Sequence, residues 1–95
     1  MHEENVFVEP VRPERKERAR IGYDGLLVKS GADRVFLHYG FDGWKNPRTV
    51  PMSRFMNGFV ASIPIEGVEA VDFCFRDSAG NWDNNSGWNW KAPIE

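Results

Sequence analysis

The chain has 95 residues, a net charge of −2, 41% hydrophobic and 27% charged residues, and a single cysteine. That length suits one small domain with one modest core, and the composition is that of a folded rather than a disordered chain. The balanced charge excludes a global pull toward nucleic acid or an anionic membrane, and the lone Cys74 excludes an internal disulfide.

The first residues, MHEENVFVEP, lack the basic start and apolar run of a signal peptide, so a cytoplasmic location is expected. No apolar stretch is long enough to cross a bilayer, and no membrane partner is expected. Residues 1–17 contain Pro10 and Pro13, and the run Arg12–Arg20 holds five of the twelve basic residues. They read as a charged leader or arm ahead of a module spanning 18–95. A solvated leader is the plain reading. The alternation around Val6 and Val8 leaves room for an extra edge strand, or for an arm exchanged in a homodimer. Glu14 and Glu17 interrupt the basic run, against a nucleic-acid partner.

From residue 18 the pattern is β. Arg20–Tyr23 and Leu26–Lys29 flank Asp24-Gly25, which predicts a hairpin. In Arg34–Tyr39, Val35, Leu37 and Tyr39 point one way, Phe36 and His38 the other. Phe59, Ala61, Ile63 and Ile65 share one face of the next run. Val71, Phe73 and Phe75 share a face of Val71–Phe75, with Asp72 and Cys74 opposite. Turn residues separate these runs at 31–33, 40–47, 57–58 and 77–87. No segment shows a helical apolar stripe. Short strands at this spacing predict an all-β, immunoglobulin-like antiparallel β-sandwich.

Little here carries catalysis. There is no Gly-rich phosphate loop, and one cysteine with two histidines gives no nucleophile–base pair. Asp42, Asp77 and Asp83 lie in loops where aspartate usually caps a turn, so a two-carboxylate hydrolase is weighed and set aside. A calcium loop starting at Asp83 fails because Ile94 stands where a bidentate glutamate is needed. His2 lies in the leader and His38 has no second His or Cys nearby, so no metal and no cofactor are expected. Aromatic residues are more informative. Three of the four tryptophans fall in NWDNNSGWNW, residues 81–90. Trp88 and Trp90 flank Asn89, and their spacing predicts that both point inward from a last strand. Trp44 and Trp82 stand in Gly/Asp/Asn-rich loops, where a packing role is less natural. If their segments are neighbours, His38, Trp44 and Trp82 form one aromatic platform suited to the apolar C–H face of a pyranose.

The segments LHYGFDGW (37–44) and NWDNNSGWNW (81–90), with Pro51-Met52 between them and Phe75-Arg76-Asp77 before the second, resemble the family 25 and family 53 carbohydrate-binding modules. These are starch-binding β-sandwich domains attached to amylases and found in plant starch synthases. The resemblance covers roughly residues 18–92 and leaves the leader out. It implies an α-glucan or maltooligosaccharide resting on His38, Trp44 and Trp82. It also matches Asp83 and Asn85 to polar positions that shape the loop or reach sugar hydroxyls. Trp90 falls where such modules carry Tyr or Phe, which implies packing. Trp88 has no counterpart and would extend the platform by one ring. The function so implied is non-catalytic binding of α-1,4-glucans such as starch or glycogen. A second reading is a targeting or interaction subunit that brings a glucan-metabolising enzyme to its polymer, with weak or no sugar binding of its own.

Overall fold

In the computed structural model, which describes residues 2–3 and 5–95 and the side chains from Asn5 onward, the alternating runs form two antiparallel sheets. The first has the order β1 (His2–Glu3), β2 (Val6–Glu9), β3 (Arg18–Tyr23), β7 (Gly58–Pro64) and β6 (Ser53–Phe55). The second has the order β10 (Trp90–Pro93), β8 (Ala70–Asp77), β4 (Val35–Phe41) and β5 (Lys45–Pro51), with the short β9 (Trp82–Asp83) also paired to β8. Period-two alternation turns one face of each sheet inward, and the two inner faces make a sandwich core. Ile21, Ile63 and Val8 from the first sheet are fully buried, as are Leu37, Tyr39, Phe73 and Phe75 from the second. The chain passes between sheets at Met52, which is buried and donates its N–H to the Val35 carbonyl.

The inward faces expected for Val35/Leu37/Tyr39, Phe59/Ala61/Ile63/Ile65 and Val71/Phe73/Phe75 are the buried ones. Three expectations fare differently. Leu26–Lys29 is a single helical turn, α1, and not the second arm of a hairpin. β3 already has β2 on one edge and β7 on the other, so no edge remains for a returning strand. The buried Leu27 instead donates its N–H to the Tyr23 hydroxyl. Second, the 40–47 stretch expected as a loop holds the end of β4 and the start of β5. β5 is an almost wholly exposed edge strand with a proline at each of positions 47 and 51, so it shows no alternation to read.

The third concerns residues 1–17. Of the readings left open, an added strand is what Val6–Glu9 forms, paired to β3 of its own chain with Val6 and Val8 in the core. Pro13 is fully buried, and its carbonyl accepts the Glu95 N–H. Lys16 N–H donates to Ile65 and Ile65 N–H donates to Glu17, so this segment is tied to the chain just past β7. Met1, Glu4 and the His2 side chain lie outside the described residues, and with them the expectation about His2.

Candidate functional site

The outer face of the second sheet collects the side chains that alternate away from the core. Register arranges them in rows. Phe36 on β4 faces Arg76 on β8, which faces Trp82 on β9. One row along, His38 lies between Thr49 on β5 and Cys74 on β8. The next row pairs Gly40 with Asp72, and Asp72 with Lys91. Trp44 reaches the same face from the β4–β5 turn.

That turn is held in an unusual backbone shape. Asp42, Gly43 and Trp44 all have positive φ, at 50°, 86° and 68°. A bulky residue such as tryptophan is rare there, because its Cβ meets the neighbouring carbonyl, and each such residue costs about 1–2 kcal/mol. The surroundings hold the turn in place. The buried Asp72 accepts the N–H groups of Gly43 (3.0 Å) and Trp44 (3.2 Å) on one carboxylate oxygen, and Lys91 stands 3.9 Å from the other. Asp42 accepts N–H bonds from Val68, Glu69 and Ala70, which hold its carboxyl below the usual range. Gly40 lies under the turn, where a Cβ would stand 3.0 Å from the Trp44 Cα. Glycine at 40 thus lets the turn fold back onto β4 and bring Trp44 over His38.

The second loop, between β8 and β10, is built the same way. The buried Asp77 accepts the Asn81 side-chain amide (2.9 Å) and the N–H groups of Asn81 (2.8 Å) and Ala79 (3.0 Å), which hold its carboxyl low. This closes the turn that delivers Trp82. Asn85, Ser86, Gly87 and Asn89 then have φ of 55°, 57°, 94° and 57°. The Asn85 side chain donates to the Asn89 carbonyl, and Asn84 accepts the N–H groups of Gly87 and Asn89. Left-handed Asn89 breaks the expected alternation. Trp90 enters the core, stacked on Phe73 and edge-on to Phe75, while Trp88 stays 86% exposed on the loop. The inward packing expected for both tryptophans therefore holds for Trp90 alone.

The structure brings His38, Trp44 and Trp82 together. The Trp44 ring lies 5.4 Å from His38 with planes inclined by 23°, and Trp82 stands 5.5 Å away on edge at 85°. The two indoles are thus steeply inclined to each other across one imidazole. His38 Nδ1 shares a 2.8 Å hydrogen bond with the Thr49 hydroxyl, which fixes the imidazole. Trp82 is half exposed. Asp83 points to the core side of β9, where the Tyr23 hydroxyl donates to it at 2.5 Å, and it caps the Asn85 N–H. The side chains of Asp83 and Asn85 are therefore engaged in holding the loop, and Trp88 stands apart from the trio.

Sequence reading missed the supports. Asp72 under Trp44 and Thr49 beside His38 depend on register that no local pattern carries. Arg76 was nearer to hand, because it continues the Asp72–Cys74 alternation by two residues. Its guanidinium lies over the Phe36 ring at 4.6 Å and 5.9 Å from Trp82. Cys74 is buried beside His38, and burial followed by the nearby Asp83 charge pushes its thiol up to about 11, which leaves it inert as a nucleophile. Among the described residues no group of three or more His, Cys, Asp or Glu could hold a metal ion. No helix of the described residues is long and apolar enough to cross a membrane.

The sequence that builds this sandwich has relatives among known proteins. The starch/carbohydrate-binding module of family 53 matches residues 19–73, more than half of the chain. The chain belongs to this family of starch/carbohydrate-binding modules. The module is also 32% identical over 80 residues to an α-amylase of Clostridium acetobutylicum, a match covering 82% of the module and 10% of the amylase. It therefore spans about a tenth of the length of that relative. No solved structure matches it. The family is one of binding modules rather than catalytic domains, and the matched residues take in β3, β4 with His38, and the Trp44 turn. Trp82 and its loop lie beyond the matched segment.

Proposed function

We propose that the module binds α-1,4-linked glucans such as starch, glycogen or maltooligosaccharides, without chemistry, by ring stacking on Trp44 and Trp82 with His38 as a third contact. The observation that carries this reading is the pair of indoles set at a steep angle around a fixed imidazole. An α-1,4-glucan curves, so successive pyranose faces meet inclined rings, whereas the flat ribbon of a β-1,4-glucan calls for coplanar ones. Thr49 engages Nδ1 of His38 and leaves Nε2 for a sugar hydroxyl. Trp88 adds an outer contact where a longer chain overruns the trio, and Asp83 and Asn85 hold the loop.

A shallow site buries little area, so dissociation constants between about 1 mM and about 10 μM are expected. Calorimetric titration with maltoheptaose and cellohexaose tests the reading. Binding of the former but not the latter is expected, with Trp44→Ala and Trp82→Ala each at least tenfold weaker, about 1.4 kcal/mol. Absence of maltoheptaose binding, or equal affinity for the two sugars, overturns it.

The likeness to a segment of an α-amylase favours a second reading, that of a targeting part for a glucan-metabolising enzyme. Pull-downs from lysate, with and without amylase treatment, separate the two. An enzyme retained after glucan digestion supports direct protein contact, whereas loss of all partners supports attachment through the polymer.

A further inference from the structure

Stacking on rings gives attraction but little direction, because every glucose unit offers similar C–H faces. What fixes a sugar's orientation is a small number of well-placed polar groups. One cation at this site, Arg76, is held by aromatic rings but spends few of its N–H donors. Arg76 lies in the middle of the row Phe36–Arg76–Trp82, half-buried on the outer face. Its guanidinium lies over the Phe36 ring at 4.6 Å and, at the longer distance of 5.9 Å, over the Trp82 ring. The hydrogen bond it makes is a long one, from one terminal nitrogen to the Asp77 carbonyl at 3.4 Å. Among the described residues no carboxylate lies within ion-pair distance of it; the ion pairs seen are Arg48–Glu66 and Lys91–Asp72. A guanidinium carries five N–H donors in a planar fork. Here the fork is ordered by two aromatic rings while most of its donors are unspent.

We propose that Arg76 is a ligand-contacting residue that donates a forked pair of hydrogen bonds to the free 2- and 3-hydroxyls of the glucose unit seated on Trp82. In an α-1,4-glucan the 1- and 4-oxygens are consumed by the linkages. The adjacent 2- and 3-hydroxyls therefore remain as a regular pair of acceptors along the chain. The guanidinium lies over the Trp82 ring at 5.9 Å in the same row. A pyranose seated on the free face of the indole therefore brings its hydroxyl edge to the rim of the ring, where the fork's N–H groups reach it. Phe36 serves as the backing that holds the fork flat. The role rests on the α-glucan reading above and adds to it a determinant of orientation and hydroxyl selectivity.

The test is a double-mutant cycle between protein and ligand on the full chain, with Arg76→Met and Arg76→Lys. Met keeps an apolar stem over Phe36, and Lys keeps the charge without the fork. The ligands are maltoheptaose and a maltooligosaccharide of the same length with 2-deoxyglucose units. The wild type is expected to bind maltoheptaose about tenfold more tightly than the deoxy ligand, and Arg76→Met to lose about tenfold on maltoheptaose but little further on the deoxy ligand. Arg76→Lys is expected to fall between. Equal losses on both ligands would show that Arg76 only props Trp82, and an unchanged affinity for maltoheptaose would show that it does not touch the sugar; either result overturns the proposal. If the wild type binds neither sugar, the fault lies with the glucan reading itself, which its own titration detects. Near-ultraviolet circular dichroism of each variant reports whether the Trp82 environment survives.

Discussion

Trp44 shows at the level of a single residue how function and stability pull apart. Its φ of 68° is unfavourable for any bulky side chain, and the turn holds it there through Asp72 and Asp42. Trp44→Gly should relieve the backbone while removing the ring. A thermal midpoint unchanged or raised, by an amount equivalent to about 1 kcal/mol, is expected together with at least a tenfold loss of maltoheptaose affinity. Thermal melts beside calorimetric titrations check both halves, and a clear loss of stability would show that the ring supports the fold. The tryptophans near the C-terminus separate in the same assay. Trp90 is buried against Phe73 and Phe75, so Trp90→Ala should cost about 3–5 kcal/mol in urea unfolding. Trp88 is 86% exposed, and Trp88→Ala should fall within about 0.5 kcal/mol of wild type.

At the scale of elements, the two functional loops are each closed by a carboxylate that receives several N–H donors. Asp42 binds the backbone of 68–70, and Asp77 binds Asn81 and Ala79. Both carboxyls are held below the usual aspartate value, for Asp42 first by the Val68 and Glu69 N–H groups and for Asp77 first by the Asn81 side chain. A lowered folded value means that the charged form stabilises the fold. That contribution is complete above the unfolded value of 3.8 and is lost as pH falls through the lower, folded one. Thermal midpoints should therefore drop on acidification below about pH 4, and the doubly substituted Asp42→Asn, Asp77→Asn protein should start lower at pH 7 and drop less. Parallel pH profiles for the two proteins would refute this assignment.

Across the whole molecule, one hydrogen bond ties the core of one sheet to the loop of the other. The Tyr23 hydroxyl, on β3, donates to Asp83 on β9 and accepts the Leu27 N–H, while its ring stacks on Phe75 at 4.0 Å. Burial, and after it the bond to Asp83, pushes the tyrosine hydroxyl up and keeps it protonated. Tyr23→Phe leaves two partners unsatisfied at this junction and should cost about 1–3 kcal/mol, measured by urea unfolding. Loop order should suffer too, with weaker sugar binding in a protein that remains folded. The charge balance of −2 leads to one more expectation, that affinity for a neutral glucan changes less than twofold between low and high salt. A steep salt dependence would point to an anionic ligand instead.

Composition and period-two alternation alone determined the fold class, the inward faces of β4, β7 and β8, and the two loops that carry the exposed rings. These are local properties, written residue by residue in which side chains must leave water. The fold-back that seats Trp44 on His38 was legible only as a glycine-rich turn, and the trio was legible as residues without a geometry. Tertiary structure decided the rest. Which strand pairs with which makes Leu26–Lys29 a helical turn, draws Val6–Glu9 into the sheet and sets Arg76 between Phe36 and Trp82. Within 81–90, the backbone hand at Asn89 sends Trp90 inward and leaves Trp88 in water. Pairing and handedness depend on contacts between residues far apart in the chain, and no short stretch of sequence holds both partners.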